Sequence, residues 1–181
     1  MIRIGILGNI GSGKSYVAKN FGYPVFNADY EVSKLYKKDK KIFKKLKKKL
    51  PKYISSFPIN KNEITKAILS NKVNLQKIIS IVHLEIRKIL KLFLKKNRNK
   101  KVIILDIPLL LENKINNKND ILVFVDSKKI EIEKRLKKRL NFNRKLISKF
   151  KKIQFSSSYK KRRSNFIIKN NFKKKSLNKS I

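Results

Sequence analysis

Gly8, Gly13, Lys14 and Ser15 stand in the spacing G-x-x-x-x-G-K-S within the stretch GNIGSGKS. Residue types in that order suit one task, holding a chain of phosphates. Small residues at Gly8, Gly11, Ser12 and Gly13 let successive backbone N–H groups turn inward around anionic oxygens, and a helix opening near Lys14 adds its positive end. The Lys14 ammonium would reach the β- and γ-phosphates of a nucleoside triphosphate, and the Ser15 hydroxyl is an oxygen donor suited to Mg²⁺. Two carboxylates stand where they could assist. Asp106 closes an apolar run just ahead of Pro108, and reads either as an aspartate assisting Mg²⁺ or as a strand terminator. Asp29 closes a shorter run and could take a proton from an attacking hydroxyl or cap the helix that begins at Tyr30.

These residues need elements to position them. Ile2 to Leu7 is a short apolar run that predicts a buried strand, and Ser15 to Phe21 predicts a helix. Tyr23 to Asp29 reads as a second strand, so the opening order is strand, glycine loop, helix, strand. That is a βαβ unit, which implies a parallel sheet. Tyr30 to Leu50 carries Leu35, Ile42, Phe43, Leu46 and Leu50 at helical spacing between lysines, a core stripe under a solvated face. Lys61 to Lys96 predicts one or two further helices, the natural place for a substrate-binding insertion. Lys101 to Asn113 and Asp120 to Asp126 open as continuous apolar runs that suit central parallel strands. Lys128 to Leu140 reads as a charged helix, Asn141 to Ser158 as polar and poorly periodic, Asn165 to Asn170 as the last strand, and the chain from Phe172 to Ile181 as a polar tail.

With 181 residues, 41% of them hydrophobic, the chain can bury one sizeable core. Its formal charge of +38, from 49 Lys and Arg against 11 Asp and Glu, would attract polyanions at low salt. The basic residues are nevertheless spread from Lys34 to Lys179 as doublets and triplets, without the aromatic interleaving of a nucleic-acid groove. A joint excess of Lys, Asn and Ile is what AT-rich codons produce, so no specific nucleic-acid partner is expected. Cysteine is absent, which excludes disulfides, thiolate metal sites and thiol chemistry. No run approaches the ~20 apolar residues of a membrane span, and glycines interrupt the N-terminal apolar run as they would not in a leader. A cytoplasmic protein, monomeric or a weak homo-oligomer, is the expectation.

GNIGSGKS, NAD at Asn27 to Asp29, DIPLLLEN at Asp106 to Asn113 and RLKKR at Arg135 to Arg139 together resemble the dephospho-CoA kinase family. Gln154 and Lys160, with NFIIKN ending at Asn170, resemble that family's C-terminal region. The likeness runs from about Ile2 to Asn171 and implies transfer of the γ-phosphoryl group of ATP, with Mg²⁺, to the 3′-hydroxyl of dephospho-CoA. The fold it implies is α/β, a P-loop NTPase with a five-stranded parallel sheet, a helical acceptor-binding insertion and a lid. The corresponding ranges are 1–56, 97–127 and 160–171 for the core, 57–96 for the acceptor-binding part, 128–159 for the lid and 172–181 for a polar tail.

The resemblance also implies roles. Asp29 matches the catalytic aspartate, Arg135 and Arg139 match lid arginines that neutralise charge during transfer, and Asn170 matches a residue near the adenine. His83 and Arg87 match the acceptor-binding region, and Pro108, Leu109 and Glu112 are expected on the acceptor as well. This chain departs from the family with Asn27 for Asp, Asn9 for Gly, Tyr16 for Thr, Leu84 for Pro, and Ile132 and Leu140 where Gln and Asp are usual. Tyr16 can still offer its backbone N–H to the nucleotide. Two other readings are open: another small-molecule kinase of the same fold, such as a nucleoside monophosphate kinase, and a nucleic-acid-dependent P-loop ATPase.

Overall fold

Five parallel strands form one sheet in the order β2-β3-β1-β4-β5, in a computed structural model that describes residues 1–140 and 142–173. The strands are β1 (Ile2–Gly8), β2 (Val25–Asn27), β3 (Val102–Asp106), β4 (Ile121–Asp126) and β5 (Phe166–Lys169). Because β1 lies between β3 and β4, its C-terminal end opens at the centre of the sheet. The apolar runs that predicted β3 and β4 are buried because the sheet is covered on both faces. A fully buried cluster of Ile6, Val17, Ala18, Ile104, Val123, Val125 and Ile168 joins β1, β3, β4 and β5 to helix α1 (Lys14–Asn20).

Gly5, in the middle of β1, is opposite Leu105 on one side and Leu122 on the other. A Cβ there would come within 2.5 Å of Leu110 Cδ2 and 2.9 Å of Leu122 Cδ2. Gly5→Ala is therefore expected to cost about 1–3 kcal/mol by overpacking, seen as a lower urea midpoint; an unchanged midpoint would mean that the leucines yield freely.

The chain divides into two compact units, one from Met1–Asn27 and Asn97–Ile181, the other from Ala28–Lys96. The second unit is helical and holds α2 (Ala28–Lys38), α3 (Lys40–Lys49), α4 (Lys61–Ser70) and α5 (Lys72–Lys96). The stripe Leu75, Ile78, Val82, Ile86 and Leu90 is the buried face of α5, and α2, α3 and α4 pack on that helix. The helical unit thus begins at Ala28, and the range 57–96 expected to bind the acceptor is its C-terminal part.

Three expectations about elements are corrected. The strand expected to deliver Asp29 stops at Asn27, and Asp29 lies in the first turn of α2, where a carboxylate interacts favourably with the helix dipole. The single helix expected over Tyr30 to Leu50 is two, divided at Asp39, whose side chain accepts from the N–H groups of Lys41 (2.8 Å) and Ile42 (2.9 Å) and starts α3. The segment expected to be irregular after Leu140 contains two helices, α7 (Arg144–Lys152) and α8 (Ser157–Arg162), after α6 (Lys129–Lys137). Asn143 and Ser156 cap them, accepting from Leu146 N–H at 2.9 Å and Tyr159 N–H at 3.2 Å. The polar tail lies, beyond Lys173, outside the described residues.

Candidate active site

The glycine loop leaves β1 at Gly8 and enters α1 at Gly13, and its three glycines have φ of 149°, 87° and 90° at Gly8, Gly11 and Gly13. Those values belong to glycine, so the residue types are dictated by the turn itself. Gly13 has no side chain with which to cap α1, which leaves the helix's first N–H groups without a side-chain acceptor. Lys14 lies back over the loop, its Nζ donating to the carbonyls of Gly8 (3.2 Å) and Asn9 (2.9 Å). Ser15 is exposed on the first turn of α1, and Tyr16 N–H donates to the Gly13 carbonyl (3.0 Å).

The loop is held from outside as well. The carbonyl of the fully buried Ser12 accepts from Asn170 Nδ2 (2.9 Å), beyond β5, and from Ser127 Oγ (3.0 Å), beyond β4. Those two bonds tie the middle of the loop to the segments that follow β4 and β5. Asn9 Oδ1 accepts from Ser157 Oγ (2.9 Å) on α8. A Cβ on Gly11 would come within 3.0 Å of Leu136 and 3.1 Å of Ile132, so α6 packs directly on the loop. Two departures from the family pattern thereby acquire local work: Asn9 ties the loop to α8, and Ile132, 6% exposed, is part of its packing.

Asp106 ends β3 in register with Asn27, is 3% exposed, and its Oδ2 accepts from Asn27 Nδ2 (2.6 Å). The turn after it is bound to the chain's own C-terminal region. Glu112 Oε1 accepts from Lys160 Nζ at 3.0 Å and from Phe155 N–H at 2.9 Å, and Gln154 Nε2 donates to the Pro108 carbonyl at 3.4 Å. Leu109 is half-buried in this turn, its carbonyl accepting from Asn113 N–H (3.0 Å). The Glu112 carboxylate expected on the acceptor is thus engaged by a lysine that is itself 1% exposed.

Asn170, expected near a base, has both ends of its amide on the main chain: Nδ2 on Ser12 and Oδ1 on the N–H of Phe172 (2.9 Å). Arg135 on α6 is exposed, with its guanidinium 4.6 Å from the centre of the Phe172 ring. Arg139 lies just past the end of α6, also exposed. The sheet unit therefore gathers the phosphate loop, Asp106, Asn170 and Arg135.

The helical unit carries the other predicted residues. Asp29 is exposed in the first turn of α2. His83 and Arg87 are one helical turn apart on α5; burial first and the Arg87 charge second hold the imidazole below its ordinary pKa, so His83 is neutral at pH 7. Ser127, Ser157 and Phe172 were missed by sequence reasoning. Each lies at an element boundary without a spacing pattern, so no signal in the sequence marked them.

Comparison with known proteins agrees with this geometry. The family model for dephospho-CoA kinase matches residues 2–176. A dephospho-CoA kinase of Wolbachia pipientis is 34% identical over 170 residues, covering 91% of this chain and 87% of that protein. A crystal structure of a Thermus thermophilus protein superposes with a TM-score of 0.78 at 25% identity, covering 98% of this chain and 92% of the other. The fold of a Campylobacter jejuni dephospho-CoA kinase matches with a TM-score of 0.61 over 98% of this chain and 92% of that one, at 18% identity. With a phosphate loop held at the head of its sheet and a family match over nearly its whole length, the chain belongs to the dephospho-CoA kinase family.

Proposed function

We propose that the phosphate loop, Asp29 and the arginines of α6 divide a single phosphoryl transfer among them. The reaction is the one its family performs, moving the γ-phosphoryl group of ATP to the 3′-hydroxyl of dephospho-CoA and yielding coenzyme A and ADP. The observation that carries the reading is the loop fixed in shape from outside through Ser12. Backbone donors arranged in advance stabilise developing negative charge without reorganising during the reaction.

On this reading Lys14 exchanges the carbonyls of Gly8 and Asn9 for the β- and γ-phosphate oxygens of ATP. Asp29 accepts the proton of the 3′-hydroxyl as its oxygen bonds to the γ-phosphorus and the bond to the β-phosphate oxygen breaks; ADP is the leaving group. Arg139 and Arg135 close from the α6 side, and His83 and Arg87 meet the acceptor. Ser15 and Asp106 are hard oxygen donors that fit Mg²⁺, and no group of three carboxylates or imidazoles forms a protein cage among the described residues. Held there, Mg²⁺ would supply charge neutralisation during the transfer. No helix of the described residues is long and apolar enough to cross a membrane; the cytoplasm is the proposed location, and a monomer or weak homo-oligomer the proposed state.

A coupled assay tests the reading. Purified protein with MgATP is expected to form coenzyme A from dephospho-CoA and to leave a panel of nucleoside monophosphates unphosphorylated. Transfer to a monophosphate in place of dephospho-CoA would move the chain to another kinase activity. ATP hydrolysis stimulated by RNA or DNA at physiological salt would make it a nucleic-acid-dependent ATPase.

A further inference from the structure

We propose that the outer face of α3 is a docking surface for a nucleic-acid duplex, held through its phosphate backbone without regard to sequence. Seven of the ten residues of α3 are lysine, and all seven are exposed. Ile42 and Leu46 are 1% and 0% exposed on the inner side. Lys41, Lys44, Lys45 and Lys48, at i, i+3, i+4 and i+7, therefore make one row on the opposite side. Among the described residues none of the seven forms an ion pair, whereas α2 pairs Lys34 with Glu31 and α5 pairs Lys88 with Glu85.

Two ordinary origins of such a face do not account for it. AT-rich codons raise asparagine together with lysine, yet residues 28–59 contain 11 lysines and none of the chain's 19 asparagines. The helix dipole favours lysine in the last turn, but α3 has no acid in its first turn and carries Lys40 and Lys41 there. Lys41 with Lys45 and Lys44 with Lys48 are, moreover, like-charge pairs at i,i+4, each unfavourable to the helix. A polyanion laid across the row removes that repulsion.

The chemistry of the partner follows from what the face lacks. Phe43, the one aromatic residue of α3, packs its ring 5.6 Å from that of Phe57 and lies under Lys47 Nζ, also at 5.6 Å. It offers no stacking platform of the kind that single strands use. Ile42 and Leu46 are turned inward, which leaves no apolar row to enter a bilayer. Charge alone remains, and a duplex supplies a stiff, dense row of it, one phosphate charge per ~1.7 Å of axis beside about 15 Å of helix. A lysine ammonium acts as a point charge, so RNA and DNA duplexes are held alike.

Fluorescence anisotropy of the full chain with labelled RNA and DNA duplexes over a KCl series tests this. Lys41→Gln, Lys44→Gln, Lys45→Gln and Lys48→Gln together keep a residue of good helix propensity at each site. They are expected to weaken both duplexes at least about tenfold near physiological salt and to lower the slope of log K against log salt by about four. Lys72→Gln, Lys77→Gln, Lys91→Gln and Lys95→Gln, exposed on α5, remove the same charge and are expected to move that slope by less than about one. Should the first set lose its helical circular dichroism, Lys44→Gln with Lys48→Gln makes the same test with half the change in slope. Equal losses in the α3 and α5 variants overturn the proposal, because the duplex would then sense only the net charge of +38. Tighter binding to phosphatidylserine vesicles, to polyglutamate or to a single strand of the same length, lost in the α3 variant, also overturns it. The face would then belong to a membrane, an acidic protein or an unpaired strand.

Discussion

Asp29→Asn is expected to lower the turnover of phosphoryl transfer to dephospho-CoA by about 10²- to 10⁴-fold, the usual contribution of a positioned acid–base group, with MgATP affinity unchanged. The amide keeps the size of the carboxylate but cannot take the hydroxyl proton. Asp29 is exposed in the first turn of α2. The helix-dipole term lost with its charge is about 0.3–1 kcal/mol, and the amide keeps an oxygen that can still accept a hydrogen bond. Steady-state kinetics against dephospho-CoA, with ATP binding measured separately, reads the two effects apart. Turnover near the wild-type value would remove Asp29 from the proton transfer.

The largest expected effect on stability lies at the buried pair Lys160–Glu112. Nζ and Oε1 are 3.0 Å apart with side chains 2% and 8% exposed, so neither charge has water to turn to. Lys160→Met or Glu112→Gln leaves its partner buried and uncompensated, which typically costs about 3–5 kcal/mol. Replacing both by methionine removes both charges and is expected to recover much of that loss, although the Phe155 N–H then loses its acceptor. Urea denaturation of the two single variants and the double variant closes the cycle. Single losses below about 1 kcal/mol, the level of a surface pair, would refute the assignment. The pair matters because it fastens the turn after β3 to α8, the helix whose Ser157 also holds Asn9 of the phosphate loop.

The phosphate loop was legible because its conformation tolerates few residue types. Left-handed φ at Gly11 and Gly13 leaves glycine as the easy choice, and the motif follows. The central strands were legible because burial on both faces demands unbroken apolar runs. The rest was decided by individual hydrogen bonds that leave no period in the sequence. One Asp39 carboxylate splits a continuous amphipathic pattern in two. Asn143 and Ser156 start helices in a stretch that reads as polar, where the short stripe of Leu146, Ile147 and Phe150 on α7 was overlooked among lysines and none of that helix's residues is fully buried. Asn170 and Glu112 were expected on ligands because they match the family's motifs, and their contacts within the chain, to main-chain groups and to Lys160, were not legible because an amide or carboxylate serves a main-chain N–H or a lysine as well as a ligand. Only the folded chain distinguishes those partners.

Asn170 and Ser12 are 158 residues apart in sequence and joined by one hydrogen bond. On a ribosome, which releases the N-terminal side of a chain first, the nucleotide-binding motif emerges well before the amide that holds Ser12. The order of synthesis and the order of maturation are therefore opposed. A nascent chain stopped before residue 170 carries the motif without its most distant restraint, so a segment made early waits for one made late to acquire its working shape.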